Sequence, residues 1–188
     1  MSKHLHFKVY KPFGYLSQFM TNDRHAKNKN FLGSLGDFPE GIMAIGRLDE
    51  SSEGLLLLTT DGAYSYHVNN NTIEKEYYAL VDGVVNQSHI DLLKTGLEIS
   101  INGVLFQTKP CKASIITAPL LPATRQRIRD DRHGPSSWVS ITLTEGKFRQ
   151  VRKMTAAVGL PTLRLIRVRI GDFKIDAMQP GDTLPIKT

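Results

Sequence analysis

Apolar and polar residues alternate along several short segments of the chain, which is the pattern of half-buried β-strands. Residues 5–10, LHFKVY, are the first of these segments. Further alternating or continuously apolar segments predict strands at residues 42–48, 55–60, 77–85, 113–116, 138–143 and 163–170. In the last strand, period-two alternation divides the side chains between two faces, with Ile166, Val168 and Ile170 on one and Leu163, Leu165, Arg167 and Arg169 on the other.

Fewer segments have the character of a helix. Residues 63–70 and a segment that includes 89–93 are predicted to be helical, and residues 31–35 are predicted to form a short helix or turn. Residues 148–158 predict a helix that buries Val151, Met154 and Val158 and directs Arg149, Arg152 and Lys153 toward its other side. This strand-rich mixture predicts an α+β fold and is unlike a doubly wound βαβ fold.

Pro, Gly and polar residues mark the connecting segments. Residues 11–15, KPFGY, end the first strand, because Pro fixes φ and Gly permits positive φ. Residues 21–30 predict a polar loop, and residues 49–54, DESSEG, predict a polar turn between two buried strands. Residues 118–137 carry three Pro and no apolar periodicity, which predicts a long exposed loop of the kind that is often functional.

Length and composition indicate one globular domain over residues 1–188. Hydrophobic residues make up 40% of the chain and charged residues 22%, which is ordinary globular usage and argues against disorder. The formal net charge is +6, and such a field attracts polyanions, with nucleic acid the first candidate. Many small soluble proteins are also basic, so net charge alone does not identify a nucleic-acid-binding protein.

Cysteine and histidine usage bears on the compartment and on metal binding. Cys111 is the only cysteine, which excludes an internal disulfide and suits a reducing cytoplasm. The six His residues are scattered and no Cys/His spacing matches a zinc site, so no metal is expected. No segment resembles a signal peptide or approaches the roughly 20 apolar residues of a membrane helix. The sequence therefore predicts a cytoplasmic protein without a metal or membrane contact.

Asp49 occupies the position best suited to chemistry. It follows Gly46-Arg47-Leu48 at the end of a predicted strand and opens the polar turn. A carboxylate there has a rigidly held backbone and can stand at the mouth of a cleft, which suits a nucleophile. From position alone, an Asp that bonds the backbone of its own turn is the more common interpretation.

Four separated strings give the more specific indication of function that the position of Asp49 alone does not. They are KPFGYLSQF (11–19), GRLDESSEGLLLLTTDG (46–62), KEYYALVDG (75–83) and EGKFRQVRKMTAAVGLPTLRLIRVRIG (145–171). Together and in this order, they resemble the pseudouridine synthases of the small-subunit and large-subunit ribosomal RNA type, and the resemblance covers most of the chain. Residues 137–172 most resemble the bacterial E-type, large-subunit branch of that family.

The resemblance implies both a fold and a reaction. The implied fold is a bent mixed, mainly antiparallel sheet with flanking helices and a central catalytic cleft. The implied reaction isomerises uridine: the N1–C1′ glycosidic bond breaks, the uracil rotates, and C5 is joined to C1′, with neither a metal nor a nucleotide cofactor. The Asp of the GRLD string is the implied nucleophile, which is Asp49 here. Whether it attacks C1′, attacks C6 or promotes a glycal intermediate is left open.

Three further residues are implied to serve this reaction. A carboxylate in a partly dehydrated pocket needs a nearby cation to stay charged, and Arg152 matches the family's basic partner of the Asp, with Arg149 as its rival. Tyr77 matches the family's active-site Tyr, which can stack on the flipped uracil and remove the C5 proton; Tyr78 is the neighbouring alternative. Leu165 matches the apolar residue beneath the base. Without the resemblance, Arg152 would be interpreted as part of a solvated helix face, and Tyr77 and Leu165 as residues of a strand core.

Several cations are candidates for contacts with RNA. Arg47 could meet the phosphate of the flipped nucleotide, and Lys11, in the family's KPxG string, could meet the RNA backbone. Four arginines of the long loop could neutralise phosphates without reading the base sequence: Arg125, Arg127, Arg129 and Arg132. Surface ion pairs and a solvated loop are the ordinary alternatives for these residues.

The first strand begins by about residue 5, where the S4-type RNA-binding domain that many relatives carry before the catalytic core would not fit. The expected partner is 23S ribosomal RNA or a partly assembled large ribosomal subunit, and the expected state is a monomer. Alternatives are a non-catalytic RNA-binding or ribosome-assembly factor, or the same chemistry on 16S ribosomal RNA or transfer RNA. A glycosidase that used Asp49 and Glu53 is disfavoured, because both carboxyls belong to one turn.

Overall fold

The fold is built on one large sheet. The computed structural model describes residues 4–20, 28–70 and 72–186. Within these ranges the chain forms three α-helices: α1 (Gly62–Asn69), α2 (Gln87–Thr95) and α3 (Gln150–Ala157). The same ranges contain thirteen strands: β1 (His6–Lys11), β2 (Tyr15–Leu16), β3 (Asn30–Phe31), β4 (Met43–Ile45), β5 (Glu53–Thr59), β6 (Lys75–Asp82), β7 (Glu98–Ile101), β8 (Val104–Gln107), β9 (Lys112–Ile116), β10 (Ser136–Leu143), β11 (Thr162–Ile170), β12 (Phe173–Lys174) and β13 (Thr183–Pro185).

Nine of these strands form the main sheet, in the order β13-β1-β5-β11-β6-β10-β9 with β4 beside β5 and β12 beside β11. Every pair in it is antiparallel except β5 with β11. β7 and β8 form a separate hairpin, and β2 and β3 form a short parallel pair. The predicted α+β fold with a mixed, mainly antiparallel sheet is confirmed.

All seven strands predicted from apolar patterning are present, although β4 is shorter than predicted. Every residue of β5 is buried, because strands flank it on both sides and other elements cover both its faces. Leu55 and Leu57 pack in the cluster that includes α1, while Leu56 and Leu58 pack with the 3₁₀ helix Leu32–Leu35. The short helix or turn predicted at residues 31–35 is therefore confirmed.

Helices α1 and α2 lie where they were predicted, but α3 begins at Gln150, two residues later than predicted. The residue before it, Arg149, has left-handed backbone angles, with φ of 53°. Such angles are uncommon for a residue other than Gly and cannot continue a right-handed helix. Val151 and Met154 are buried as predicted, while Val158 is only partly buried.

A β-bulge in β11 changes which side chains share a face. Arg167 pairs with Tyr77 of β6, but Arg169 pairs with Glu76, so one residue is inserted between them. Because adjacent strand residues point to opposite faces, this insertion moves Arg169 and Ile170 to the faces opposite those predicted. The prediction that Arg167 and Arg169 share a face is therefore wrong.

The parallel contact between β5 and β11 requires a glycine. Gly54 has φ of 105°, and a Cβ atom there would collide with the backbone of Arg167. Only Gly satisfies both the left-handed φ and the close approach. The turn that carries Asp49 leads directly into this strand, so the contact brings that turn against β11.

The long segment between β9 and β10 is bonded to the sheet at several points. Thr124 Oγ1 donates to Glu53 Oε1 (2.8 Å), and the Gln126 side-chain amide donates to the Leu163 carbonyl oxygen. Glu53 in turn forms a buried ion pair with Arg164 (3.0 Å). The prediction of an exposed loop is thus wrong for the residues of this segment that make these contacts.

Two further expectations concern other parts of the chain. Residues 21–27 of the polar segment predicted as a loop lie outside the described residues. None of the described helices has the length and apolar character that crossing a membrane requires.

Candidate active site

A cleft lies beside the turn that joins β4 to β5. Five of the residues singled out from the sequence line it: Arg47, Asp49, Tyr77, Arg149 and Leu165. They come from the turn, from β6, from the loop before α3 and from β11, which are far apart in the sequence. Three of the four strings on which the family resemblance rests therefore contribute residues to this cleft.

Asp49 is held at the cleft by its own turn and by a buried serine. Its carbonyl oxygen accepts a hydrogen bond from the Ser52 N–H (3.0 Å). One residue earlier, Ser17 Oγ accepts from the Leu48 N–H (2.9 Å) and donates to the Leu48 carbonyl oxygen (2.8 Å). The Asp49 side chain is 25% exposed, so its carboxylate can meet a substrate while its backbone is fixed. No local sequence pattern indicates this role for Ser17, because the bonds join residues that are far apart in the chain.

Arg149 is the cation that faces Asp49. Its Nη1 lies 3.7 Å from Asp49 Oδ2 and also donates to Ser51 Oγ (3.3 Å). The left-handed backbone at Arg149 is strained for an Arg, and strain of this kind often accompanies functional sites.

Arg152 does not form the predicted ion pair with Asp49. Its Nη2 donates to the Ser51 carbonyl oxygen (2.7 Å) and its Nη1 to the Thr162 carbonyl oxygen (3.1 Å). These bonds hold the guanidinium against the backbone of Ser51 and Thr162, while Arg149, three residues earlier, lines the cleft. Burial lowers the pKa of Arg152, the charge of Arg149 lowers it further, and the charge of Asp49 raises it. Arg152 thus acts on Asp49 only at longer range.

Tyr77 and Leu165 form a partly apolar wall of the cleft. Leu165 pairs with Ala79 and is 4% exposed, while Tyr77, two residues along the same face of β6, is half-buried. Tyr78 faces the other side of the sheet, where it packs with Ile166. Between the two tyrosines, it is Tyr77 that the fold presents to the cleft.

Arg167 is a cleft residue that sequence reasoning did not select. It pairs with Tyr77, is 5% exposed, and its Nε donates to the Leu55 carbonyl oxygen (2.8 Å). The signal was present, because Arg167 alternates with Leu165 along β11. Arg47 is exposed at the other side of the cleft, where its Nη2 donates to Gln18 Oε1 (3.2 Å).

Lys11 is buried, so the prediction that it contacts the RNA backbone is wrong. It is fully inaccessible to solvent. Its Nζ donates to the carbonyl oxygens of Pro12 (2.9 Å) and Tyr15 (2.6 Å), which closes the loop after β1. The KPxG string therefore shapes this loop from the inside.

Burial lowers the pKa of Lys11 to about 7. The charges of Glu53, Asp49 and Glu50 oppose this shift, and the charge of Arg167 adds to it. Desolvation is the largest cause because an ammonium group loses its hydration when no water reaches it.

Lys11 should make the protein more stable as pH rises from about 7 to about 10.5. In this window the unfolded chain binds a proton at Lys11 that the folded chain does not, so the free energy of unfolding increases with pH. The contribution is complete above the unfolded pKa, declines as pH falls to the folded pKa, and is constant below it. Urea denaturation at a series of pH values gives the free energy of unfolding as a function of pH. Between pH 7 and pH 10.5 this free energy should rise less steeply with pH in Lys11→Met than in the wild type.

Lys8→Met, which removes a partly exposed lysine of the same strand, provides a control for this measurement. Burial raises the pKa of Tyr10 to about 12 and that of Cys111 to about 11, and both groups oppose the trend at high pH. They do so equally in wild type and variant, so the difference isolates Lys11. Parallel pH profiles for wild type and Lys11→Met would contradict the assignment.

The four arginines of the long segment differ in their availability. Arg129 bonds to Asp82 and to the carbonyl oxygens of Gly134 and Pro135, so its guanidinium is largely engaged within the protein and its role in RNA binding stays a prediction. Arg132 pairs with Asp130. Arg125 and Arg127 are exposed and form no ion pair among the described residues. They alternate with the inward-facing Thr124 and Gln126.

The described residues contain no cluster of three or more His, Cys, Asp or Glu side chains that could hold a metal ion. Glu53, the second carboxyl considered for glycoside hydrolysis, is 1% exposed and bonded to Arg164. It cannot donate a proton to a substrate in the cleft, which removes the glycosidase alternative.

Known proteins match this chain over nearly its whole length. The family described as RNA pseudouridylate synthase matches residues 6–157. A protein of Xanthomonas axonopodis pv. citri named ribosomal large subunit pseudouridine synthase E is 41% identical over 173 residues, which cover 90% of this chain and 87% of that protein. A protein of the same name from Vibrio parahaemolyticus is 35% identical and covers 91% of this chain and 69% of its own length.

Solved structures show the same similarity. A crystal structure described as a pseudouridylate synthase aligns with a TM-score of 0.76 and 26% identity, over 100% of this chain and 72% of that one. The human RNA pseudouridylate synthase domain containing 1 aligns with a TM-score of 0.57 over 100% of this chain and 81% of that one. At 14% identity, the second similarity shows the fold alone.

Proposed function

The chain belongs to the RNA pseudouridylate synthase family, and we propose that it converts a uridine of large-subunit (23S) ribosomal RNA into pseudouridine with Asp49 as the nucleophile. It is an RNA pseudouridine synthase and therefore an isomerase. The observation that carries the proposal is the cleft in which the partly exposed Asp49 carboxylate faces Arg149 beside Tyr77 and Leu165.

The cleft supplies what this isomerisation demands. The N1–C1′ bond breaks, a C5–C1′ bond forms, C5 loses a proton and N1 gains one, so no oxidant or reductant is consumed. A carboxylate nucleophile needs a partner for its negative charge when the substrate excludes water, and the guanidinium of Arg149 lies 3.7 Å from Asp49 Oδ2. The Asp49 carboxylate then attacks C1′ of the ribose or C6 of the base, or it promotes a glycal intermediate.

Tyr77 and Leu165 suit a flipped uracil. Flipping costs a few kcal/mol of lost stacking, and contact with an aromatic and an apolar side chain recovers part of it. Both side chains arise from the same face of adjacent strands, so they form a continuous surface for one base. The Tyr77 phenol is the candidate for removing the C5 proton.

Cations around the cleft suit the RNA backbone. Arg47, Lys75 and Lys147 line the cleft together with Asp49. Arg125 and Arg127 project from a segment that is anchored to β5 and β11 through its neighbouring residues. Accessible cations of this kind contact a phosphate backbone without reading the base sequence.

Ser17 is expected to position Asp49. Ser17→Ala should lower kcat about 10- to 100-fold, because the freed Leu48 backbone lets Asp49 shift and misplacement by about 1 Å costs about 100-fold. It should also lower the free energy of unfolding by about 1–3 kcal/mol, since two buried backbone groups lose a partner. Steady-state kinetics and urea denaturation measure the two effects.

Ser34→Ala is the matched control for Ser17→Ala, because Ser34 is exposed and, among the described residues, its side chain bonds only to the nearby Phe31 carbonyl oxygen. It should leave kcat close to that of the wild type. A wild-type kcat in Ser17→Ala would show that Asp49 is positioned without this serine.

The target can be tested in cells and with the pure protein. Carbodiimide-based primer extension would map pseudouridine in both ribosomal RNAs from cells that lack the gene and from complemented cells. The purified protein would then be incubated with protein-free 23S ribosomal RNA and with large-subunit precursor particles. Loss of a 23S stop that the wild-type protein restores supports the proposal.

Other results would redirect the proposal. A lost stop in 16S ribosomal RNA or transfer RNA would overturn the large-subunit target and keep the chemistry. Tight RNA binding without any modified uridine would favour a non-catalytic assembly factor, and Asp49→Ala would then bind RNA as the wild type does.

A further inference from the structure

Phe148 is a large aromatic side chain that remains exposed beside the cleft. Of its surface, 58% is accessible to solvent. It lies between Lys147, which lines the cleft, and Arg149, whose guanidinium faces Asp49. A single exposed apolar residue is ordinary, so the neighbours of Phe148 must decide whether it has a role.

Two lysines close to Phe148 in the sequence each contact the hairpin of β7 and β8. Lys153 Nζ lies 5.3 Å from the centroid of the Phe148 ring and donates to the Ser100 carbonyl oxygen of β7 (2.6 Å). Lys147 Nζ lies 4.8 Å from the centroid of the Phe106 ring of β8. The hairpin of β7 and β8 thus contacts both ammonium groups. These contacts limit the motion of the two lysine side chains before any ligand binds.

The acidic residue of this segment, Glu145, also borders the cleft but is buried and hydrogen-bonded. Glu145 is 4% exposed, and its Oε1 accepts hydrogen bonds from the Lys109 N–H (2.8 Å) and from Gln150 Nε2 (2.6 Å). Its Oε1 is therefore already occupied by donors of the protein. The accessible part of the segment combines an aromatic face with positive charge, the combination that binds single-stranded nucleic acid.

We propose that Phe148, Lys147 and Lys153 form a subsite for an unpaired nucleotide that neighbours the target uridine. The subsite rests on the proposed function and deepens it, because it receives the RNA strand where the strand enters the cleft. When the target uridine is flipped, its neighbour loses a stacking partner, and the Phe148 ring replaces that partner. The two ammonium groups neutralise the flanking phosphates.

Binding of a short single-stranded oligouridine that carries one central 2-aminopurine tests the stacking directly. Stacking on Phe148 quenches the fluorescence of the 2-aminopurine in the wild-type complex. Phe148→Ala should raise Kd about 5- to 100-fold and abolish this quenching, whereas Phe148→Trp should retain both affinity and quenching. Leu120→Ala removes an exposed apolar side chain from a groove on the opposite face of the sheet and should bind as the wild type does.

Salt dependence separates the aromatic from the lysines. Lys147→Gln and Lys153→Gln should each reduce the slope of log Kd against log salt concentration by about one. Phe148→Ala should weaken binding without changing that slope. On an RNA that the enzyme modifies, Phe148→Ala should lower kcat/KM by a factor similar to its loss of affinity.

The subsite and the proposed function can fail separately. Wild-type Kd and quenching in Phe148→Ala, or equal losses in Phe148→Ala and Phe148→Trp, would overturn the subsite while leaving pseudouridine formation intact. Oligouridine binding needs no catalysis, so a chain that modifies no RNA would overturn the proposed function even if Phe148 stacked as described. A thermal unfolding profile like that of the wild type would confirm that the exposed Phe148 is not needed for folding.

Discussion

Asp49→Asn should abolish pseudouridine formation and lower kcat by at least about 10⁴-fold, because the amide has the shape of the carboxylate but neither its charge nor its nucleophilicity. Single-turnover release of tritium from RNA labelled at uridine C5 measures the loss directly, since that bond to hydrogen must break in every product. The protein should remain folded. The ion pair of Asp49 with Arg149 spans 3.7 Å at a partly exposed site and contributes no more than about 1 kcal/mol.

Glu50→Gln is the matched control, because it neutralises the adjacent carboxylate of the same turn. The Glu50 side chain pairs with Lys29 at 2.7 Å on the exposed side. This variant should turn over as the wild type does. If Asp49→Asn released tritium as fast as Glu50→Gln and the wild type do, Asp49 would not be the nucleophile. A large loss in both would instead implicate the charge of the turn as a whole.

The central sheet was predictable from the sequence because its strands bury continuous apolar faces. β5 is the clearest case, since Leu55 to Leu58 are apolar without interruption and a strand between two neighbours buries both faces. The Asp49 turn followed from the polar string between this strand and β4. Tyr77 and Leu165 came from resemblance, and the fold places both at the cleft.

The errors share a physical cause, which is that local pattern does not specify long-range geometry. A bulge of one residue reversed the face of Arg169, and periodicity carries no sign of such an insertion. Lys11 looks like a surface cation, but carbonyl oxygens of its own loop satisfy it in the interior. Arg149 replaced Arg152 beside Asp49 because left-handed backbone angles redirect the chain before α3, and a helical pattern extended through Arg149 hides this change.

Arg164→Met should lower the free energy of unfolding by about 3–5 kcal/mol, which is the usual cost of leaving a buried charge without its partner. Arg164 Nε and Nη2 bond both oxygens of Glu53 at 3.0 and 3.1 Å, and Nη2 also donates to the Pro122 carbonyl oxygen. The two side chains are 8% and 1% exposed, so water cannot replace the lost bonds. Equilibrium urea denaturation at neutral pH measures the change.

The comparison pair is Lys8 and Asp176, whose side chains are 19% and 59% exposed, and Lys8→Met should cost no more than about 1 kcal/mol. The double variant Glu53→Leu with Arg164→Met should be more stable than Arg164→Met alone, because it leaves no unpaired charge inside the protein. If Arg164→Met cost no more than Lys8→Met, the buried pair would not stabilise the junction. Glu53 connects β5 to β11 and to the segment that carries Arg125. Arg164→Met should therefore weaken RNA binding as well as lower the free energy of unfolding. Weaker RNA binding by a variant whose cleft residues are all intact would show that the buried pair holds the cationic surface in register with Asp49.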